Sequence, residues 1–132
     1  MFNLKRTPGD IAFSLFIRYK AGWTCERCRR PYPVGSGNLQ CSHFYGRGGK
    51  STRCDEENAA ALDGGCHQYF TANPEDHRAF FLRRLGEEKF YALVRRAHLP
   101  CRYYDDRAHA LGYRERLRVE FGVGAAYFDP SA

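Results

Sequence analysis

Asp63-Gly64-Gly65-Cys66-His67-Gln68-Tyr69-Phe70 is the stretch on which the fold turns. Gly64-Gly65-Cys66 reads as a knuckle-like turn running into a short helix that carries His67, Tyr69 and Phe70. Asp63 and Cys66 stand at the spacing of a CxxC pair with aspartate in the first place. Upstream, Cys25-Glu26-Arg27-Cys28 is a complete CxxC on a turn, where two thiolates can chelate one zinc ion. Thioredoxin-like redox pairs share that spacing, but no βαβ pattern surrounds this one. Cys25, Cys28 and Cys66 are therefore the expected structural zinc ligands. The fourth ligand is open among Asp63, Cys41 and Cys54: a carboxylate can ligate zinc, whereas Cys41 reads more simply as a buried free thiol. Cys101 reads as core.

Outward from this pair of turns, residues 39–44 read as a strand. A glycine-rich turn follows (Gly46, Gly48, Gly49), and a second strand is expected over residues 51–54. Thr7-Pro8-Gly9-Asp10 is a capping box with proline at the first helical position. Ile11, Ala12, Leu15, Phe16 and Tyr19 then recur at helical spacing up to Gly22. Beyond the second knuckle the chain reads as helices. One starts at Asn73-Pro74-Glu75-Asp76 and stops at Gly86, one spans 87–98, and one begins near Asp105 with Ala110, Tyr113, Leu117 and Phe121 as its buried stripe. The expected organisation is an N-terminal helix (1–24), a zinc-stapled core (25–73), a helical extension packed on it (74–121) and a tail (122–132).

The chain has 132 residues, 43% of them hydrophobic and 15% aromatic, enough for one packed core and against disorder. At this size the buried fraction is modest, so a metal staple adds useful stability. It carries 21 Lys+Arg against 15 Asp+Glu, a net +6, and only Lys5, Lys20, Lys50 and Lys89 are lysines. Arginine forks match phosphate oxygens bidentately, which points to nucleic acid. Charge alone, however, describes a solvated basic surface equally well. MFNLKRTPGD turns polar at once, so no secretory signal is expected, and no apolar run approaches a membrane span. Six cysteines without an export signal fit a reducing compartment, the cytoplasm of a bacterium or an infected host.

His43, Asn58 and His67 lie in order between these turns, with fourteen residues between the first two and eight between the last two. Phosphodiester hydrolysis requires a water deprotonated near neutral pH, and imidazole has the suitable pKa. It also requires charge stabilisation on the phosphate and the departing oxygen, which a divalent cation supplies to both. His67, at the start of a helix, can ligate that ion. Asn58 can hold the loop or join the ligands. His43 is then the residue left off the metal with a nitrogen free to accept a proton. The basic loop Arg47-Gly48-Gly49-Lys50-Ser51-Thr52-Arg53 offers Arg47, Lys50 and Arg53 to DNA phosphates, its glycines letting the backbone approach. This reading expects His43 and His67 close enough to engage one phosphate. His77, one helix further, is either polar surface or an addition to the metal shell.

Cys25-Glu26-Arg27-Cys28, Cys41-Ser42-His43-Phe44, Ser51-Thr52-Arg53, Asn58 and Cys66-His67-Gln68-Tyr69-Phe70, with Phe13-Ser14-Leu15-Phe16-Ile17-Arg18 as lead-in, resemble the phage NinG/Rap recombination-endonuclease family. The resemblance covers about residues 7–97. That family is a branch of the HNH, or ββα-metal, nucleases acting on branched DNA recombination intermediates. The resemblance implies His43 as general base, Asn58 as loop-organising amide, His67 as ligand of the catalytic ion, and Cys25, Cys28 and Cys66 as zinc ligands. Asp63 stands where the family has its fourth cysteine. Ser42 stands where many HNH enzymes carry an acidic or histidine ligand, so the ion would rest more on water and DNA phosphate, as Mg²⁺ does.

The expectation is thus an α+β chain with a zinc-stapled ββα-metal (HNH-like) core, an N-terminal helix and a helical C-terminal extension. It would act as an endonuclease using structural Zn²⁺ and catalytic Mg²⁺ or Mn²⁺ on branched DNA, with a homodimer as one route to paired cuts. The alternatives are a non-catalytic zinc module that binds DNA or bridges recombination proteins, and an HNH enzyme reading a defined sequence.

Overall fold

The computed structural model describes residues 5–124. The fold is mixed α+β: five α-helices surround one two-stranded antiparallel sheet. Helix α1 (Pro8–Lys20) opens with the expected capping box: Asp10 N donates to Thr7 Oγ1 (3.2 Å) and Thr7 N donates to Asp10 Oδ2 (3.0 Å). It ends before Gly22, which sits at φ +63°. The chain then forms the first knuckle, where Thr24 bridges Pro31 and Cys25 N donates to Arg30 O at 3.0 Å.

Strand β1 (Leu39–His43) pairs with β2 (Ala59–Asp63) in the register Leu39 opposite Asp63 through His43 opposite Ala59. The second strand is therefore not at residues 51–54, which form a turn. Every residue of β2 is buried, so it lacks the polar alternation of a half-exposed strand, and its alanines have weak β propensity. The connection 44–58 is correspondingly wide and closes with a 3-10 turn at Glu56–Asn58. Glu26 docks the knuckle onto β2, its N–H donating to Ala61 O (2.8 Å) and its carboxylate accepting from Ala61 N (2.6 Å).

Asp63 caps helix α2 (Gly64–Ala72) by accepting from Cys66 N at 2.8 Å. Helices α3 (Pro74–Leu85) and α4 (Glu87–Ala97) are divided by Gly86 at φ +84°, and α5 (Asp106–Phe121) follows its Asp105 cap. The Asn73 side chain makes no capping bond to α3.

One apolar cluster joins these parts, with Phe13 and Phe16 of α1, Leu39, Leu62, Phe70, Phe81, Phe90 and Leu117. The N-terminal helix and the extension thus share the core of the central hairpin. Helix α5 packs along α1, and its first residue locks the start of α1: Asp106 accepts from Thr7 Oγ1 (2.5 Å) and Gly9 N (3.1 Å). A Cβ on Gly9 would run into that carboxylate, so this position needs glycine. Val123, expected in a loose tail, is buried; residues 125–132 of that tail lie outside the described residues. Among the described residues no helix is long and apolar enough to cross a membrane.

Candidate functional site

The two turns that open the sequence reading meet in space. The ligand atoms of Cys25, Cys28, Asp63 and Cys66 all lie within 4.8 Å of one another. A tetrahedral zinc site with ~2.3 Å bonds to sulfur sets sulfurs about 3.8 Å apart, so small adjustments close this cluster on an ion. These four residues can hold a metal such as zinc, and Asp63 takes the fourth place. Cys41 and Cys54 do not: Cys41 faces α1, and the Cys54 thiol meets Tyr104 OH at 3.2 Å. The donor set is held from outside as well. Asp63 accepts from Tyr32 OH (3.0 Å) and from the Cys28 thiol (3.0 Å), and its N–H points at Cys25 Sγ (3.4 Å). Arg27 approaches Cys66 Sγ at 3.4 Å while stacking 4.1 Å over the Tyr69 ring, offsetting the negative charge of such a centre.

A second constellation surrounds His43 at the end of β1. Its Nε2 lies 2.9 Å from the carbonyl oxygen of Arg53. A carbonyl only accepts, so Nε2 carries the proton and Nδ1 keeps a free lone pair. Burial lowers the His43 pKa, opposed by the Arg53 carbonyl and assisted by the charge of Arg47, which favours the neutral imidazole. The ring packs beside Phe13 (5.7 Å between centroids) and lines a cleft of about 370 Å³ shared with Arg6, Asp10, Arg18, Cys41 and Arg47. Burial pushes the Cys41 thiol in this wall up to about 12, so it stays protonated and unreactive.

Asn58 is fully buried. Its Oδ1 accepts from Tyr45 N (2.8 Å), and its Nδ2 donates to Tyr45 O (2.9 Å) and Thr52 O (3.0 Å). It ties the two ends of the 44–58 connection together. With no exposed atom and its amide spent on backbone, Asn58 is not placed to ligate an ion, and that part of the expectation is corrected.

Arg53 is corrected too. Its Nε and Nη2 grip Asp10 at 2.9 and 2.6 Å inside the protein, and its guanidinium lies 5.1 Å from the Tyr104 ring. It is buried by these contacts rather than offered to phosphate. Burial works against ionisation of Asp10, but bonds from Arg53 and Thr7 hold its carboxyl well below the usual carboxylate range. Arg47 lines the cleft and also reaches Asp10 Oδ2 (3.0 Å), whereas Lys50 is exposed on the loop. The chain Asp10–Arg53–His43 was not legible beforehand. Asp10 reads only as a helix cap, and its partner lies 43 residues away.

His67 occupies the other side of the hairpin. Side chains alternate along a strand, so Cys41 and His43 face α1 while Gln40 and Ser42 face α2. His67 Nδ1 lies 2.8 Å from Gln40 Oε1, on that second face. Residues 40 and 43 are also roughly 10 Å apart along β1. The expectation that both imidazoles crowd one phosphate is therefore not met by direct adjacency; Gln40, which also lines the His43 cleft, is what the two have in common. Comparison with protein-family models, curated proteins and solved structures gave no match.

Other arginines are engaged in holding the fold. Arg84 pairs with Glu26 (2.8 Å), and Arg96 with Asp55 (2.7 Å) and Glu57 (3.0 Å), which ties α3 and α4 to the knuckle and the connection.

Proposed function

We propose that this chain is a metal-dependent DNA endonuclease built on a ββα-metal (HNH-like) core, acting on branched DNA, with His43 as the general base. The observation that carries this reading is the anchoring of His43. One ring nitrogen is fixed on a backbone carbonyl, and the other is left as a proton acceptor in a cleft walled by Arg6, Arg18 and Arg47. That is the arrangement a base needs: fixed tautomer, neutral form, and cations beside it for an anionic backbone. The order of elements, hairpin then helix with His67 on the helix, supports the same reading.

His43 takes the proton of a water attacking phosphorus, and Arg47 steadies the charge that grows on the phosphate. Asn58 and the Asp10–Arg53 pair keep the carbonyl of residue 53 under the ring. A divalent ion held by His67, Mg²⁺ or Mn²⁺, would supply charge stabilisation to the phosphate and leaving oxygen. Zinc at Cys25, Cys28, Asp63 and Cys66 would staple the knuckle to α2 and take no part in the chemistry.

The test is zinc-loaded protein on supercoiled plasmid, linear duplex, forks and four-way junctions, with Mg²⁺, Mn²⁺ or chelator. Ion-dependent nicking with preference for junctions is expected. No cleavage of any substrate with either ion refutes the enzyme. Discrete cuts in linear duplex would instead favour a sequence-reading HNH enzyme. One observation favours a different reading, a non-catalytic zinc module that binds DNA: β1 stands between His43 and His67. Junction binding without cleavage would select it.

A further inference from the structure

On the α2 face of β1, two polar atoms are buried without any partner: Ser42 Oγ and His77 Nε2. Ser42 is 1% exposed, so its hydroxyl has no water to fall back on. An unmet polar atom in such a place carries a penalty of roughly 1–3 kcal/mol, and two on one face ask for a reason.

Their neighbours point to one. Gln40, Ser42 and Phe44 succeed each other along the same side of the strand and its continuation. Gln40 holds His67 at one end of this row (2.8 Å), and Phe44 packs against the His77 ring at the other (5.2 Å between centroids). His77 is further stacked on Phe70 at 5.1 Å and 16°, and Phe70 is one turn from His67 on α2. Ser42 sits between the two histidines. Because Gln40 Oε1 accepts from His67 Nδ1, the lone pair of His67 is on Nε2. Both imidazoles are held in the neutral form that binds metal: burial lowers each pKa, and the charge of His67 adds to the effect at His77.

We infer that His67, His77 and Ser42 form a second divalent-cation site, with two imidazole nitrogens as the protein ligands and the Ser42 hydroxyl beside them. This deepens the nuclease reading and rests on it for the ion's role, but not for its binding. Two imidazoles suit Mn²⁺, Co²⁺ or Zn²⁺ better than Mg²⁺, which prefers oxygen. His77 then takes the place that Asn58 cannot fill.

The test is binding, read apart from cleavage. Full-length zinc-loaded protein is titrated with Mn²⁺, followed by calorimetry and by paramagnetic broadening of the histidine ring signals. Wild type should bind one ion beyond the structural zinc, broadening His67 and His77 before His98 or His109. His77→Phe keeps the stacking against Phe44, Phe70 and Phe81 and removes the ligand. It should weaken Mn²⁺ at least tenfold with an unchanged melting temperature, as should His67→Phe. Ser42→Ala should weaken binding less. His43→Ala should leave binding intact. No second ion in the wild type, or unchanged affinity in His77→Phe, overturns the site. Nicking that survives either result leaves the enzyme standing without this site. An ion bound at both histidines without nicking supports the site and removes the enzyme.

Discussion

Replacing Arg53 by methionine keeps its hydrocarbon stem and strands the Asp10 carboxylate. The Asp10 side chain is only 4% exposed and loses two charge-assisted bonds, at 2.9 and 2.6 Å. Removing one partner of a buried pair costs about 3–5 kcal/mol, because the remaining charge stays desolvated. Asp10 keeps Arg47 at 3.0 Å, the Thr7 N–H at 3.0 Å and the favourable N-terminal end of α1, so the low end applies, about 3 kcal/mol. For a chain of this size that corresponds to roughly 10 °C in melting temperature. Urea unfolding at fixed zinc reads it directly. The pH dependence follows from the lowered Asp10 pKa. Its contribution is present above the unfolded value near ~3.9 and is lost as pH falls toward the lower folded value. The gap between wild type and variant should be level from about pH 5 to 8 and close in acid below about pH 4. Replacing both residues, Asp10→Leu with Arg53→Met, should be milder than Arg53→Met alone. A single variant within ~0.5 kcal/mol of wild type, or a gap that widens on acidification, refutes the role given to this pair.

Gly9→Ala tests the contact between α1 and α5. Helix propensity alone would stabilise by about 1 kcal/mol, whereas the clash with the hydrogen-bonded Asp106 carboxylate should destabilise by about 1–3 kcal/mol, and a rise in melting temperature would contradict it. Cys25→Ser should abolish zinc uptake and lower stability by at least about 3 kcal/mol, a fraction of the binding energy of structural zinc. A parent protein without zinc, or a variant that melts as the parent does, would count against the staple. In pH–rate profiles the acidic limb for cleavage should fall below the ordinary histidine value of 6.5, since burial lowers the His43 pKa. A limb at or above 6.5 would contradict a buried neutral base.

Local chemistry made much of the fold legible. The Thr7–Asp10 capping box, the Gly86 break and the Asp105 cap each act within a few residues, and the structure has helix boundaries at each. The CxxC spacing likewise reached Asp63, because knuckle geometry is short-range. Strand β2 was hidden because Ala59, Ala60 and Ala61 show no alternation and little β preference. Arg53 looked like a phosphate clamp because a loop arginine between glycines carries no sign of a carboxylate 43 residues away. His77 looked like helix surface; only the packing of Phe44, Phe70 and Phe81 around it shows otherwise.

Nicking of supercoiled plasmid and of a four-way junction by His43→Ala, beside wild type at equal zinc content, is the decisive measurement. Cleavage should fall at least about a hundredfold, as loss of a general base requires, while zinc stoichiometry, melting temperature and junction affinity stay at wild-type values. Cleavage at the wild-type rate would mean that another group activates the water.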